Sequence, residues 1–145
     1  MELKDCIVFL LAKNSQAGYR FWGNYISKYN VTPVQAMVLI LLNREDGVSA
    51  KVLGEHTQLD SATITGVLDR LEGMDLIIKK KNPADRRAIL ISLSEKGRHD
   101  SKILDELFEE AHNDFLSDLT TDEEFQLRDL LKRILEKHRY KLFAK

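Results

Sequence analysis

The sequence predicts a mainly helical fold with one small β-hairpin, and three observations carry that prediction. Residues 61–74 repeat apolar side chains at helical spacing, with Ile64, Val67, Leu68 and Leu71 at i, i+3, i+4 and i+7. Two β-prone runs follow, residues 76–81 and 88–93, joined by the turn Asn82-Pro83-Ala84-Asp85-Arg86-Arg87. Long amphipathic stretches of helical period lie on both sides of this block. Helix, strand, basic turn, strand is the layout of a winged helix-turn-helix. In that layout a helix and a cationic loop stand side by side, where each can enter a groove of duplex DNA.

Residues 3–29 read as one long helix, with Leu3, Ile7, Leu10 and Leu11, then Gly18, Trp22, Tyr25 and Tyr29 at helical spacing, and Asn30 as its end. Thr32-Pro33-Val34-Gln35 is a start signal: Thr32 as N-cap, Pro33 in the first turn, Gln35 reaching back. The helix it opens, residues 34–43, is apolar nearly all round and is expected to be buried on most faces. Asp46-Gly47 is a turn, and Ser49 caps a short helix to about residue 57 with Val52 and Leu53 inward. Asp60 or Ser61 caps the next helix, whose end Gly73 loosens. Ser94 caps a helix to about residue 119 that carries Ile103, Leu104, Leu107, Phe108, Ala111, Phe115 and Leu116 on one side. Residues 120–124 form a second capping box, and the last helix, to about residue 140, is expected to bury Phe125, Leu127, Leu130, Leu131, Ile134 and Leu135.

This reading gives one domain over residues 1–145, with a winged lobe at 33–93 and dimerisation helices at 1–30 and 94–145. The lobe's core is complete without the outer helices, so their apolar stripes need another surface. Packing on one another and on a second copy of the chain supplies it.

A chain of 145 residues with 43% hydrophobic residues has enough apolar material for a core. No apolar run approaches the roughly 18–20 residues of a membrane span, and the N-terminus lacks a signal-peptide layout. A single cysteine, Cys6, excludes an internal disulfide framework and makes a reducing cytoplasm the expected location. The net charge of −1 hides blocks of opposite sign. Residues 79–98 hold seven Lys and Arg against two Asp and Glu, residues 100–124 one against ten, and residues 125–145 seven against two. A local basic patch is what phosphate binding requires, and the acidic block is expected to point away from DNA.

On the candidate reader helix, Ala62, Gly66, Asp69 and Gly73 lie opposite the buried stripe, and three of these four are the smallest side chains available. Glycine inside a helix costs about 1 kcal/mol relative to alanine, so Gly66 points to a close approach; drift on an exposed face is the bland alternative. Ser61, Thr63, Thr65 and Arg70 flank this slim face. Threonine bonds base or phosphate and touches a thymine methyl, and Arg70 pins phosphate or reads guanine. Asp69 either accepts from a cytosine amino group or orients Arg70. So short a face implies limited direct readout and a share from DNA shape. Arg86 and Arg87 sit on the hairpin tip, where Asp85 can hold a guanidinium, and an arginine on a narrow tip fits the minor groove. Of Lys79, Lys80 and Lys81, alternating along a strand, about two face the backbone, with Lys80 among them; Lys51 is a weaker phosphate candidate.

Together these residues resemble the MarR family of bacterial transcription regulators. The resemblance rests on Asp69-Arg70-Leu71-Glu72 at the end of the reader helix, Asp85-Arg86-Arg87 in the wing, and Leu93-Ser94-Glu95-Lys96-Gly97 after it. Length and helix order match over essentially the whole chain. The resemblance implies a homodimer formed by the terminal helices, a palindromic operator, repression as the usual role, and Arg86 as the minor-groove residue. Two positions depart from the pattern: Gly66 stands where many members carry arginine, and Ser94 where threonine is commoner, a change that keeps the cap.

Members of the family usually release DNA when a small aromatic or anionic ligand binds between the dimer helices and the reader lobe. Trp22 and Tyr25 could line such a pocket, with Tyr29 on the same helix face and Arg20 offering charge; core and dimer packing is the alternative for these aromatics. Some peroxide-sensing members use a cysteine in the first helix, at the position that matches Val8 here; Cys6 lies two residues earlier and leaves a thiol switch as a second reading. His56, His99, His112 and His138 are widely spaced, so neither a metal nor another cofactor is expected. The sequence lacks a Ser-His-Asp or Cys-His order with supporting context, a phosphate-binding glycine loop and an HExxH pair, which argues against an enzyme. A winged-helix module that binds protein instead of DNA remains the structural rival, and it has no need of the two-arginine tip.

Overall fold

The computed structural model describes residues 1–85 and 87–143. Six α-helices and three strands account for most of them: α1 Ile7–Tyr25, α2 Pro33–Arg44, β1 Val48–Ser49, α3 Ala50–Thr57, α4 Ser61–Gly73, β2 Ile77–Lys81, β3 Ile89–Leu93, α5 Glu95–Phe115 and α6 Thr121–Phe143. They fall into two compact units, residues 1–111 and 112–145.

The first unit holds the core. The stripe on α4 buries Ile64, Leu68 and Leu71 against Leu39 and Leu42 of α2, Leu53 of α3, Ile77 and Ile91 of the sheet, and Leu104 of α5. Thr32 caps α2 as its sequence requires: the hydroxyl accepts from Gln35 N–H, and the Thr32 N–H donates to Gln35 Oε1 at 2.8 Å. Ser49 caps α3 by accepting from Val52 N–H, and Asp60 caps α4 by accepting from Thr63 N–H at 2.9 Å. Three strands form one antiparallel sheet in the order β1-β3-β2, with Val48 opposite Ile91 and Ile77 opposite Leu93.

The expected long first helix is broken at both ends. Leu3–Asp5 is a separate 3-10 turn, because Cys6 is extended (φ −73°, ψ 120°). The far end stops at Tyr25, because fully buried Ile26 leaves helical geometry and starts a second 3-10 turn, Ser27–Tyr29. Asn30 ends the segment in the left-handed conformation (φ 58°), which Asn tolerates better than most residues.

The exit from α4 is the most tightly determined joint. Leu76 N–H reaches back to Leu71 O at 3.0 Å and Asp75 N–H to Glu72 O at 2.9 Å, while Asp75 takes φ 58°. These paired bonds are a Schellman closure with Asp75, and not Gly73, in the left-handed position, and Leu71 and Leu76 supply its apolar contact. Ser94 then ties this exit to the start of α5. Its N–H donates to Leu76 O (3.1 Å), its hydroxyl donates to Asp75 O (2.6 Å), and its Oγ accepts from Gly97 N–H (2.9 Å). Gly97 passes so close to this joint that a Cβ there would lie 1.8 Å from Leu76 O. The Ser94–Gly97 spacing therefore has a local cause: one hydroxyl serves two helix ends, and the backbone beneath it leaves no space for a side chain.

A polar cluster links α2 to α5 within the same unit. Arg44 Nη2 lies 2.6 Å from Asp105 Oδ1 and 3.4 Å from Glu109, and Asn43 donates to Asp105 Oδ2. The Arg44 guanidinium holds the Asp105 carboxyl below its ordinary range, against the opposing effect of partial burial.

In the second unit Thr120 closes the expected capping box with Glu123, whose carboxylate accepts from Thr120 N–H at 2.8 Å. His112 Nε2 lies 3.1 Å from Glu124, which also pairs with Arg128. Two expectations need correction here. The helix α5 ends at Phe115 and not near residue 119. Phe125, Leu127, Leu130, Leu131, Ile134 and Leu135 are exposed in the single chain, not buried, with Phe125 at 70%. They share one apolar stripe along α6, which its own helix cannot cover.

Candidate nucleic-acid interface

The reader face of α4 is built from the inside out. Burying Ile64, Leu68 and Leu71 turns Ala62, Gly66, Asp69 and Gly73 outward, because residues on opposite sides of a 3.6-residue period cannot share a face. Ser61, Ala62, Thr63, Thr65, Gly66, Asp69 and Arg70 are all exposed. Gly66 has nothing within 4 Å of where a Cβ would stand, so packing inside the chain does not require glycine there.

Both threonines are held by their own helix. Thr63 Oγ1 donates to Asp60 Oδ2 at 2.7 Å, and Thr65 Oγ1 donates to Ser61 O at 2.7 Å. The Asp60 carboxyl is held below its ordinary range, first by the Thr63 hydroxyl and then by the Thr63 N–H.

Asp69 neither points at Arg70 nor stands free. Lys79 Nζ lies 2.6 Å from Asp69 and 2.8 Å from Glu72, so one ammonium on β2 spans two carboxylates on α4. The Lys79 charge is stabilised in return, Asp69 being the larger cause. Of the two roles expected for Asp69, orienting Arg70 gives way to this pairing with Lys79. The physical reason is register: Lys79 shares the face of β2 that carries buried Ile77, and that strand packs against α4. Lys80 points to the opposite face and is exposed; Lys81 is exposed as well.

The wing is a closed turn. Asn82 N–H donates to Ala88 O at 2.9 Å, Ala84 N–H to Asn82 Oδ1 at 2.9 Å, and Ala88 N–H to Asp85 O at 2.9 Å. The Asp85 carboxylate accepts from the backbone N–H of Arg87 at 3.0 Å, so it shapes the tip by an Asx-type bond. Arg87 is exposed on that tip; Arg86 lies outside the described residues. Lys51 is exposed in the first turn of α3.

The aromatic segment divides. Trp22 is 8% exposed and meets Phe108 edge-on at 5.4 Å, and Tyr25 packs partly buried against the core. The indole N–H of Trp22 is buried and has no hydrogen-bond partner among the described residues. Arg20 is not brought to them: it lies on the outer side of α1 with Ser15, Gln16 and Tyr19, along an open groove of about 440 Å³. Two positions apart on a helix is nearly opposite, which the sequence could have shown. Cys6 is a half-buried free thiol at the entry of α1. Among the described residues no group of three His, Cys, Asp or Glu is placed to hold a metal, and no helix is long and apolar enough to cross a membrane.

Sequence reasoning missed Lys79 as a clamp, the two-residue strand β1, and Asp46. The Asp46 carboxylate accepts from Leu93 N–H (2.9 Å) and Gly47 N–H (3.1 Å) and pairs with Arg98 at 2.9 Å, which anchors the wing's return strand. An Asp-Gly turn signals a bend, and nothing in its spelling names a partner 47 residues away.

Comparison with known proteins agrees with this geometry. Residues 31–89 match the model of the MarR family. An organic hydroperoxide resistance transcriptional regulator of Bacillus subtilis is 36% identical over 97 residues, 67% of this chain and 66% of that protein. A probable transcriptional regulator from Pseudomonas aeruginosa superposes with a TM-score of 0.85 at 33% identity, over 92% of this chain and 99% of that one. The PcaV regulator from Streptomyces coelicolor, solved with its natural ligand, gives 0.83 at 29% identity, over 94% and 96%. A mutant of MarR from E. coli, complexed with operator DNA, gives 0.81 at 27% identity, over 87% and 91%. The caps, the slim outward face of α4, the short hairpin behind it and these likenesses converge: the chain belongs to the MarR family of DNA-binding transcriptional regulators, a family that is not enzymatic.

Proposed function

We propose that two copies of this chain bind a palindromic duplex and repress transcription until a small aromatic or anionic ligand releases them. The observation that carries the reading is the exposed, nearly side-chain-free crest of α4 beside a cationic hairpin. Ala62, Gly66 and the flanking Ser61, Thr63, Thr65 and Arg70 enter the major groove. Arg86 and Arg87 reach the adjacent minor groove, with Asp85 shaping the tip, and Lys51 and Lys80 contact phosphates. Asp69 stays with Lys79.

A second copy accounts for apolar surface that one copy leaves open. Leu3, Ile7 and Val8 are exposed in the first unit, and Phe125, Leu130 and Ile134 in the second. So much uncovered apolar surface on a soluble chain marks an interface. Two-fold pairing sets the two reader helices one DNA turn apart, roughly 34–36 Å. The effector contact falls to Trp22 and Tyr25, where the unsatisfied indole N–H suits a ligand that offers an acceptor; Arg20, which lines the separate groove with Ser15, Gln16 and Tyr19, plays no part in it.

Sedimentation and a salt series on duplex binding test the reading. A dimer is expected whose log affinity falls steeply and linearly with log salt. Arg86→Ala and Arg87→Ala should each cost on the order of tenfold in duplex affinity and leave the dimer intact. A monomer, or binding indifferent to salt, would overturn it. Trp22→Phe should keep the dimer and blunt release by aromatic acids.

A further inference from the structure

Each threonine hydroxyl has a single proton, and on α4 both are already engaged. Thr63 Oγ1 bonds the Asp60 carboxylate, and Thr65 Oγ1 bonds the Ser61 carbonyl, each at 2.7 Å. A carboxylate and a carbonyl only accept, so the direction of both bonds is fixed by chemistry: the threonines donate inward. What they turn outward is oxygen lone pairs and γ-methyl groups. Ala62 adds another methyl, and Gly66 adds nothing. Asp69 is acceptor-only as well, and Lys79 occupies one of its oxygens. Beyond Ser61, whose hydroxyl can donate at the start of the helix, the exposed face of α4 therefore presents acceptors and methyls along its first half, and Arg70 is its one cationic donor.

The major-groove edges of the bases respond unequally to such a face. Adenine offers an amino donor beside its N7 acceptor, thymine a methyl group beside its O4 acceptor, cytosine an amino donor, and guanine two acceptors, O6 and N7, with no donor or methyl. Lone pairs against guanine repel. A C·G pair brings guanine's acceptors on the opposite strand, whereas an A·T pair brings an amino group and a methyl together. We propose that Thr63 and Thr65 read A·T pairs through acceptor-only oxygens and methyl contact, so that guanine in each half-site is confined to the reach of Arg70 and Ser61. This rests on the duplex-reading role of α4 and names the base class that role selects.

The test uses the full chain and a random duplex library. Enriched half-sites should carry A·T pairs under the first half of α4. On the enriched duplex, replacing those thymines by deoxyuridine removes only the methyl, and replacing those adenines by purine removes only the amino group. Each change should weaken binding severalfold to about tenfold. Thr65→Val keeps a methyl and removes the oxygen; it should weaken the adenine duplex to the same degree and leave the purine duplex nearly unchanged. Thr65→Ser keeps the oxygen and should lose its sensitivity to deoxyuridine. Circular dichroism confirms that each exposed-site variant folds. Guanine enriched opposite Thr63 or Thr65, or a Thr65→Val variant equal to wild type, would overturn the acceptor-only reading and leave duplex binding intact. A library from which nothing is enriched would overturn the reading role of α4, and this proposal with it.

Discussion

Two glycines on different helices, Gly97 of α5 and Gly66 of α4, show what fixes a residue in this chain. At Gly97 the cause lies inside: a Cβ would stand 1.8 Å from Leu76 O, at the joint where Ser94 ties α4 to α5. At Gly66 nothing lies within 4 Å, and the helix would gain from a side chain. The joint is specified by the protein's own packing. At the crest of α4, nothing within the chain demands glycine.

Substitution at the joint should have the largest effect. Gly97→Ala must push the chain away from Leu76 O and is expected to destabilise by about 3 kcal/mol, the upper end of an overpacking change; thermal unfolding would show it, and an unchanged midpoint would break the comparison. Next comes the clamp between the two regions. Lys79→Met keeps the aliphatic stem but leaves Asp69 and Glu72 as unpaired negative charges beside DNA. Duplex affinity should fall on the order of tenfold, most of all at low salt, with little change in stability. Gly66→Ala sharpens the contrast because its two effects have opposite signs. Helix stability should rise by about 1 kcal/mol while duplex affinity falls, measured by unfolding and by titration on the same preparation; a gain in both would mean that no close approach occurs.

The smallest effect concerns the polar link between α2 and α5. Asp105 has its folded-state pKa lowered, chiefly by the hydrogen bond from Arg44. A lowered folded-state value means that the contribution is present above the ordinary value of 3.8 and is lost as pH falls through the still lower folded value. Wild type should therefore lose up to about 1 kcal/mol over that acid interval, and Asp105→Asn should lack that part of the profile.

Much of this was legible in the chain. Caps are local chemistry, so Thr32 with Gln35, Ser49, Asp60, and Thr120 with Glu123 could be read from neighbours three residues apart. The stripe on α4 was legible for the same reason: period and burial are one pattern. Three kinds of feature were not. The breaks at Cys6 and Ile26 sit within an apolar period that runs on through them, and only the burial of Ile26 against the core decides against helix. The strand β1 has two residues, too few to show a period, and exists because Val48 finds Ile91. The Lys79 clamp depends on how far the chain turns after α4, which Asp75 sets with a left-handed backbone that aspartate seldom adopts. Of the site, the slim face and basic tip were readable, and the separation of Arg20 from Trp22 could have been read from helical spacing, whereas the partners of Asp69 required coordinates.

The Ser94 hydroxyl has one more implication. Because the same oxygen grips the exit of α4 and the entry of α5, the long helix acts as a handle on the reader. Under the proposed duplex-binding role, a roll or tilt of the start of α5 would carry the outward edge of α4 with it, as a key turns its bit.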